Sequence, residues 1–336
     1  MIPKEPPPEA EMMKFIASKW IGKPIYAAAE LGIADLLADG PLSINTLAET
    51  TRTHAPSLFR LMRALAGVGI FAQGEDGRFA LTPTAECLKT GKLRSAAILF
   101  NAEWSDRAWA RLLDNLKTGE AAFEIAYGQP LTEWLARNPD AAAVFDDANA
   151  VRAVQSHRVI VKAIDFSIHN HVVDIGGGTG ALMTEILKAN PHLTGMVADV
   201  APVVEKAAML IRQKELTARC EAVVCDFFKA VPANADAYIL SNILHDWPDD
   251  QCRTILTNCR DTMARNSTLY VIEMIVPSGN TPSIAKLLDL EMLVMTGGRE
   301  RTQEEFRDLL SDAGLMISVF HHTPDTISII EIKRSI

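Results

Sequence analysis

The nine residues that most constrain the fold of this chain are a short apolar run that ends in an acid and then breaks into glycines, Val172-Val173-Asp174-Ile175-Gly176-Gly177-Gly178-Thr179-Gly180. We predict that the apolar residues form a buried strand, that the glycines form a tight turn, and that a helix follows from Ala181 to Lys188. Glycine tolerates positive φ and lets the backbone approach a ligand closely, while the start of a helix offers free N–H groups. The pattern therefore predicts a loop that cradles a nucleotide-type cofactor.

The acid ahead of the glycines indicates which cofactor this loop would hold. The spacing of Gly176, Gly178 and Ala181 also fits the fingerprint of dinucleotide-binding proteins, and glycines needed only for packing are the simplest alternative. A carboxylate at Asp174, however, repels a pyrophosphate and attracts the ammonium and sulfonium groups of S-adenosylmethionine (SAM). We therefore favour SAM over NAD.

Composition limits the partners and the compartment. The net charge of −9 argues against nucleic acid, and 336 residues suffice for two domains with buried cores. The 5 cysteines form no CxxC pair and no zinc-like spacing, so we expect reduced thiols and no metal. The chain begins without the pattern of a signal peptide and contains no apolar run long enough for a membrane span. We expect a cytoplasmic protein with no membrane partner.

The first hundred residues predict a mainly helical winged-helix module. Apolar residues recur at helical spacing from Ala10 to Leu37, interrupted by Gly22 and Pro24, which predicts two helices at most. Two further helices, over Thr46–Thr50 and Ser57–Ala66, precede a hairpin around a glycine turn. The second of these helices has only two cations among many apolar groups, so a subunit interface explains it better than DNA binding.

From His171 onward, apolar strands alternate with helices, which predicts a parallel sheet with its ligand at the carboxyl ends of the strands. The predicted strands are Val172–Ile175, Leu193–Ala198, Ala222–Cys225, Ala237–Leu240 and Leu269–Ile275. Asp199 follows the second strand, where a carboxylate can accept both ribose hydroxyls, and Asp226 follows the third, where it can accept an adenine amino group. Phe227 can cover the adenine ring. Each acid taken alone is more often a helix cap, but their repetition at successive strand ends favours a ligand.

A histidine leaves the fourth strand at the same edge. His245 stands where a general base would face the cofactor, and its reference pKa of about 6.5 leaves it largely neutral at pH 7. The alternative is a loop histidine hydrogen-bonded to Asp246. Asp249 and Asp250 suggest a helix start rather than a metal site, because acids favour the helix dipole there.

The chain closely resembles the plant-type, small-molecule O-methyltransferases that use SAM. The resemblance covers nearly the whole chain, and its most specific motifs are Leu244-His245-Asp246-Trp247-Pro248-Asp249-Asp250-Gln251-Cys252 and Gly297-Gly298-Arg299-Glu300-Arg301-Thr302. It implies an α/β fold, the class I methyltransferase sheet of seven strands with the last antiparallel, completed here by Met316–Phe320 and Ile327–Ile332. It also implies a homodimer. We expect a winged-helix dimerisation domain over residues 1–100, a helical linker that contributes to the substrate pocket over 101–165, and a SAM-binding catalytic domain over 166–336.

The resemblance also implies roles for individual residues. His245 matches the family's base, and Glu273 and Glu300 match two acids that flank it. Glu273 lies in an apolar strand, where a carboxylate is costly unless paired, so an ion pair with Arg301 is its alternative role. The expected cofactor contacts are Asp174, the methionine-cradling Gly176, Gly178 and Gly180, Asp199 at the ribose, Asp226 and Phe227 at the adenine, and Ser241.

The chain departs from the plant pattern around the substrate. Ser241 replaces a lysine near the adenine, and Asn149 replaces one of two methionines that clamp a phenyl ring, whereas Met292 keeps the other. We place Asn242 and Met295 with them in the acceptor pocket, although Met292 and Met295 suit the core equally well.

We therefore expect methyl transfer from SAM to a hydroxyl of a small metabolite, which is phenolic, indolic or a polyketide, with S-adenosylhomocysteine as the other product. His245 would take the hydroxyl proton, and the flanking carboxylates would raise its pKa. The alternatives from other classes are a SAM-binding relative that has lost methyl transfer, a winged-helix regulator and an NAD dehydrogenase.

Overall fold

The computed structural model describes residues 7–323 and 326–335. The chain divides into two compact units, and each unit is built from two separate stretches of chain. The first unit takes Met1–Arg107 and Thr132–Val151, and the second takes Ala108–Leu131 and Arg152–Ile336. The chain therefore passes between the units three times.

The helices and strands are numbered in chain order. The α-helices are α1 (Pro8–Ile16), α2 (Lys19–Glu30), α3 (Ile33–Leu36), α4 (Ile44–Thr51), α5 (Ala55–Gly67), α6 (Arg94–Leu99), α7 (Glu103–Trp109), α8 (Leu112–Thr118), α9 (Ala122–Tyr127), α10 (Leu131–Arg137), α11 (Pro139–Ala163), α12 (Ala181–Ala189), α13 (Ala201–Gln213), α14 (Asp249–Thr262), α15 (Ile284–Met295) and α16 (Gln303–Asp312). The strands are β1 (Phe71–Gln73), β2 (Phe79–Leu81), β3 (His171–Ile175), β4 (Thr194–Asp199), β5 (Cys220–Val224), β6 (Ala237–Ser241), β7 (Thr268–Met274), β8 (Leu315–His322) and β9 (Ile327–Arg334).

The first unit is helical apart from the β1–β2 hairpin. The two predicted helices before the hairpin are confirmed as α4 and α5. Leu58, Met62 and Leu65 recur at helical spacing on α5, so they form one face and are buried with Phe71 and Phe79 of the hairpin. This packing fixes the hairpin against the helix.

The prediction of two helices at most between Ala10 and Leu37 is wrong, because α1, α2 and α3 all lie there. Pro24 does not end α2 and instead sits inside it, where proline removes one backbone donor. The helix continues past Pro24 to Ala28 and Ala29, which are both buried. The break comes later, at Gly32, whose φ of 64° is left-handed and turns the chain into α3.

The second unit contains the predicted seven-stranded sheet, in the order β5-β4-β3-β6-β7-β9-β8. The strands β3 to β7 pair in parallel, and β9 pairs antiparallel with both of its neighbours, which confirms the predicted topology. Both faces of the sheet are buried, because Val173 and Ile175 join one apolar cluster while Val172, which points to the opposite face of the pleat, joins the other. The carboxyl ends of β3 to β7 consequently meet at one edge.

A short stretch far from the sheet in sequence also belongs to the second unit. Trp109 donates from Nε1 to Glu291 Oε2 at 2.8 Å, and the buried Asn115 donates from Nδ2 to the carbonyl oxygens of Glu120 at 2.7 Å and Leu293 at 3.4 Å. These bonds attach the stretch around α8 and α9 to α15. Within the described residues, no helix has the length and apolar character needed to cross a membrane.

Candidate active site

The glycine loop after β3 has the left-handed backbone geometry that its sequence predicts. Gly176, Gly178 and Gly180 have φ values of 68°, 58° and 76°, which side-chain-bearing residues rarely adopt. A Cβ on Gly176 would lie 2.4 Å from Ile243 Cδ1, whereas a Cβ on Gly178 would meet nothing within 4 Å. The loop is therefore packed on one side and open on the other, as a ligand cradle requires.

We expect Gly176→Ala to lower the free energy of unfolding more than Gly178→Ala does. Both substitutions force alanine into the left-handed region, which costs roughly 1–3 kcal/mol, but only the first also displaces Ile243. Urea unfolding of the two variants would measure the difference, and Gly178→Ala is the matched control for backbone strain. Equal losses of unfolding free energy would show that the contact with Ile243 is unimportant.

Asp199 braces this loop from the end of β4. Its Oδ2 accepts the N–H of Gly178 at 2.9 Å, and its Oδ1 accepts the N–H of Val200 at 2.7 Å. Asp226, in contrast, is exposed and engaged locally, by the N–H of Phe228 at 3.1 Å and by Lys229 Nζ at 2.8 Å. These contacts cap a turn over residues 227–229 rather than the helix of the capping alternative, and the role of Asp226 at an adenine stays a prediction.

Asp174 carries a carboxylate oxygen that lacks a partner. The side chain is 1% exposed, it follows Val172 on the apolar face of β3, and its Oδ1 has no hydrogen bond. Burial, and to a smaller extent the charge of Asp199, raise the pKa of Asp174 to about 7. A cationic ligand group beside Asp174 would remove that penalty, and a pyrophosphate would increase it.

Three side chains predicted to carry the chemistry lie together beside this loop. His245 lies in a 3-10 turn (Leu244–Asp246) after β6, and its Nδ1 is 2.8 Å from Glu300 Oε1 and 3.6 Å from Glu273 Oε2. Its Nε2 is 3.7 Å from Asp246 Oδ1, beyond hydrogen-bond distance. The alternative of a histidine fixed by Asp246 is therefore wrong, and Nδ1 is the anchored nitrogen.

These acids control the protonation of the histidine. Burial lowers the pKa of His245, but the nearby charges of Glu273, Asp246 and Glu300, with the hydrogen bond that Nδ1 donates to Glu300, outweigh it and raise that pKa to about 10. Burial also raises the pKa of Glu273 to about 7, while the charge of His245 opposes the shift. His245 is thus a stronger base than a free imidazole, and the expectation that it is largely neutral at pH 7 is wrong for the free protein.

Glu273 also holds the turn that carries His245. Its Oε1 accepts the backbone N–H groups of Ile243 at 3.0 Å and Leu244 at 2.8 Å, while its Oε2 has no hydrogen bond. The alternative of an ion pair with Arg301 is wrong, because Arg301 pairs with Asp249 at 2.7 Å. Glu273 therefore stabilises the turn with one oxygen and presents the other toward His245 Nδ1.

The segment Gly298–Arg301 lies against the same turn. A Cβ on Gly298 would lie 2.0 Å from the carbonyl oxygen of His245, and the N–H of Arg299 donates to that oxygen at 2.9 Å. The N–H of Glu300 donates to Asp289 Oδ1 at 2.9 Å, and this bond anchors Glu300 to α15. The roles of Gly298, Asp289 and Arg301 were not predicted from the sequence, in which only the paired glycines before Arg299 indicated a close approach.

The remaining predicted site residues occupy several places. Ser241 ends β6, and Asn242 follows it with a left-handed φ of 54°. Met292 is half-buried on α15, one turn after Asp289, whereas Met295 is 4% exposed and belongs to the core. Asn149 lies on α11 in the first unit, where its side chain is exposed. The roles of these residues at the acceptor stay predictions.

The histidine and the two glutamates can also coordinate a cation. One ligand atom from each of His245, Glu273 and Glu300 lies within 4.8 Å of the others, and no other such group occurs in the described part of the chain. The predicted absence of a metal is therefore open to test by chelation.

Comparison with known proteins finds two family models that match the chain. One described as an O-methyltransferase dimerisation domain matches residues 13–91, and one described as an O-methyltransferase domain matches residues 109–316. A phenazine O-methyltransferase from Lysobacter antibioticus is 39% identical over 96% of this chain and 95% of its own length.

Solved structures give the same result. Mitomycin 7-O-methyltransferase superposes with a TM-score of 0.92 at 34% identity, covering 97% of this chain and 98% of that one. A neocarzinostatin-pathway O-methyltransferase, solved with SAM and 2-hydroxy-5-methyl naphthoic acid, superposes with a TM-score of 0.82 at 30% identity, covering 94% and 96% of the two chains.

Proposed function

We propose, from the premise that this chain belongs to the O-methyltransferase family, that it transfers a methyl group from SAM to a hydroxyl of a small aromatic metabolite. The observation that carries this proposal is the anchored base. His245 has its Nδ1 held by Glu300 at 2.8 Å, directly after the strand that neighbours the glycine loop. A relative solved with a hydroxynaphthoic acid supports an aromatic acceptor.

The residues present fit SAM. The open side of Gly178 leaves room for a ligand, Asp174 offers an unpaired carboxylate oxygen to its ammonium group, and Asp199 lies at the adjoining strand end for its ribose. When bound, SAM supplies a methyl group that is activated by the positive sulfur. Asp226, Phe227 and Ser241 complete the proposed contacts.

His245 deals with the proton of the acceptor. A phenol with a pKa near 10 gives its proton unfavourably to a free imidazole of pKa about 6.5. Because the acids raise the pKa of His245 to about 10, transfer from a phenol to Nε2 is nearly balanced. Glu300 keeps Nε2 directed away from itself by holding Nδ1, and the unpaired oxygen of Glu273 stabilises the imidazolium that forms.

Asp174 leads to a prediction about pH. The ionised form of Asp174 is the form that pairs with a cation, and its pKa is about 7 in the free protein. The affinity for SAM should therefore fall by up to about tenfold for each pH unit below 7. Asp174→Asn should weaken the binding of SAM by about 10–100-fold at pH 8 and abolish this pH dependence.

Calorimetric titration from pH 5.5 to 8.5 measures both effects. Glu185→Gln is the control, because it removes one exposed negative charge on α12, the helix after the loop. A wild-type affinity in Asp174→Asn would exclude the ammonium contact.

The experiment that tests the function is incubation of the purified protein with SAM and a panel of phenols, indoles and hydroxylated polyketides. Mass spectrometry should find a product one methyl group heavier, with S-adenosylhomocysteine in equal amount. SAM binding without any product would favour the alternative of a relative that has lost methyl transfer.

We also propose that the chain forms a homodimer through its first unit. The dimerisation-domain match over residues 13–91 supports this assembly. The helix α2 leaves Trp20 70% exposed, and α1 leaves Phe15 68% exposed, which is typical of surfaces that a partner covers. Sedimentation should give twice the chain mass, and a monomer at micromolar concentration would exclude the proposal.

A further inference from the structure

We infer that Arg301 is a positioning residue that holds the catalytic histidine in place without touching the reactants; this inference rests on the proposed function. Arg301 is 1% exposed, and its side chain is the largest fully buried one among the described residues. Burying a guanidinium costs desolvation free energy, so the contacts that Arg301 makes indicate which part of the structure it stabilises.

Those contacts converge on the turn that carries His245. Nη1 donates to the carbonyl oxygen of Leu244 at 2.8 Å, and Nη2 donates to that of Trp247 at 3.0 Å. Asp249 Oδ1 accepts from Nε at 3.0 Å and from Nη2 at 2.7 Å, which neutralises the charge and orients the guanidinium. Cys252 Sγ donates to the same two carbonyl oxygens at 3.2 and 3.3 Å.

The turn is thereby held on both sides. Glu273 accepts the N–H groups of Ile243 and Leu244 at the start of the turn. Arg301 and the N–H of Arg299 bind the carbonyl oxygens of Leu244 and His245 within the turn and of Trp247 directly after it. The bonds within the turn itself are long, at 3.3 Å from the Asp246 N–H and 3.4 Å from the Trp247 N–H. The position of the imidazole therefore depends on these external bonds.

Arg301 also fixes where Glu300 lies. Arg301 forms an isolated parallel bridge with Ile275, and its carbonyl oxygen accepts the N–H of Val276 at 3.0 Å. Glu300 directly precedes Arg301, and Glu273 lies two residues before Ile275. One residue thus sets the histidine turn with its side chain and one of the flanking acids with its backbone.

The test compares Arg301→Lys with Arg260→Lys. Lysine keeps the charge but cannot reach two carbonyl oxygens and a carboxylate with a planar fork. Arg260 is the matched control, because its guanidinium also donates to a carbonyl oxygen, that of Ala313 at 2.9 Å, and pairs with an aspartate, Asp261 at 2.8 Å, away from the turn. We expect kcat to fall about 100-fold in Arg301→Lys and to stay within about threefold in Arg260→Lys. The SAM affinity and the acceptor KM should stay within about threefold in both.

A readout independent of turnover is the NMR titration of His245 with ¹³C-labelled histidine. Its midpoint should move toward 6.5 in Arg301→Lys, because the ring withdraws from Glu300, Glu273 and Asp246, the acids that face it. An unmoved midpoint together with wild-type kcat would overturn the inference. A parallel loss of kcat and SAM affinity would also overturn it, because that pattern indicates general damage to the fold.

Gly298→Ala decides the matter if Arg301→Lys does not fold. Its new methyl group would displace the carbonyl oxygen of His245 and leave every charge intact, so kcat should fall with KM preserved. Gly67→Ala, where a Cβ meets nothing within 4 Å, is the control. Wild-type kcat in Gly298→Ala would contradict the inference.

Failure of the proposed function is distinguishable, since wild-type protein would then methylate no acceptor whatever Arg301 does to the His245 titration.

Discussion

Replacing His245 with alanine is expected to lower kcat by about 10²–10⁴-fold while leaving SAM affinity within about threefold. The imidazole is the group placed to take the acceptor proton, and its Nδ1 is already engaged by Glu300 at 2.8 Å. None of the described contacts of the glycine loop involves the His245 side chain, so the cofactor site should survive its removal.

Initial rates and calorimetry on the same preparations test this prediction. His322→Ala, an exposed histidine on β8, is the control for the loss of an imidazole elsewhere. Added imidazole should restore part of the activity of His245→Ala and have no effect on the wild type. A variant that keeps more than about a third of wild-type kcat would mean that proximity of the reactants alone carries the reaction.

Glu300→Gln is expected to change how the rate depends on pH. In the free wild-type protein His245 has a pKa of about 10, so it is protonated at neutral pH and kcat/KM should rise steadily from pH 6 to pH 9 as the neutral imidazole becomes available. Removing the charge of Glu300 should lower the pKa of His245 by about one unit. The remaining charges of Glu273 and Asp246 limit this fall. The variant then holds more neutral imidazole at low pH, but that imidazole is a weaker base.

The two effects separate across the pH range. If the rate constant falls in proportion to the basicity of the imidazole, the variant should be close to wild type near pH 6.5 and about twofold slower near pH 9, and its rate should level off about one pH unit earlier. Glu304→Gln, an exposed acid on α16, is the matched control and should leave the profile unchanged. Parallel profiles for Glu300→Gln and wild type would show that Glu300 does not set the basicity of His245.

The parts of the fold that the sequence predicted are those governed by local rules. The apolar run before Gly176 could only be a buried strand followed by a turn, and the left-handed φ values of the loop follow from glycine itself. The number of strands in the sheet and its antiparallel last strand followed from a family resemblance, whereas the order of the strands came from the structure. The first unit was harder, because Pro24 looked like a break and tertiary packing carried α2 through it.

The parts that the sequence could not predict are contacts between distant residues. Glu300 lies 55 positions after His245, and Arg301 lies 52 positions after Asp249, so no periodicity connects them. Two arginines flank Glu300, and nothing local says that Arg301 is buried while Arg299 is partly exposed. The unpaired oxygen of Asp174 was foreseen only in part, because an acid before glycines indicates a charge and not its isolation.

Each of the two units is built from two separate stretches of chain, which limits how this enzyme can be recombined with its relatives. The unit that contains His245 also needs Ala108–Leu131, whose Trp109 and Asn115 bond to α15, and that stretch is separated from the rest of its unit by residues of the other. A gene fusion that exchanged residues 152–336 as one block would leave those bonds to be made by foreign side chains. Chimeras between relatives should therefore stay active when both segments are exchanged together.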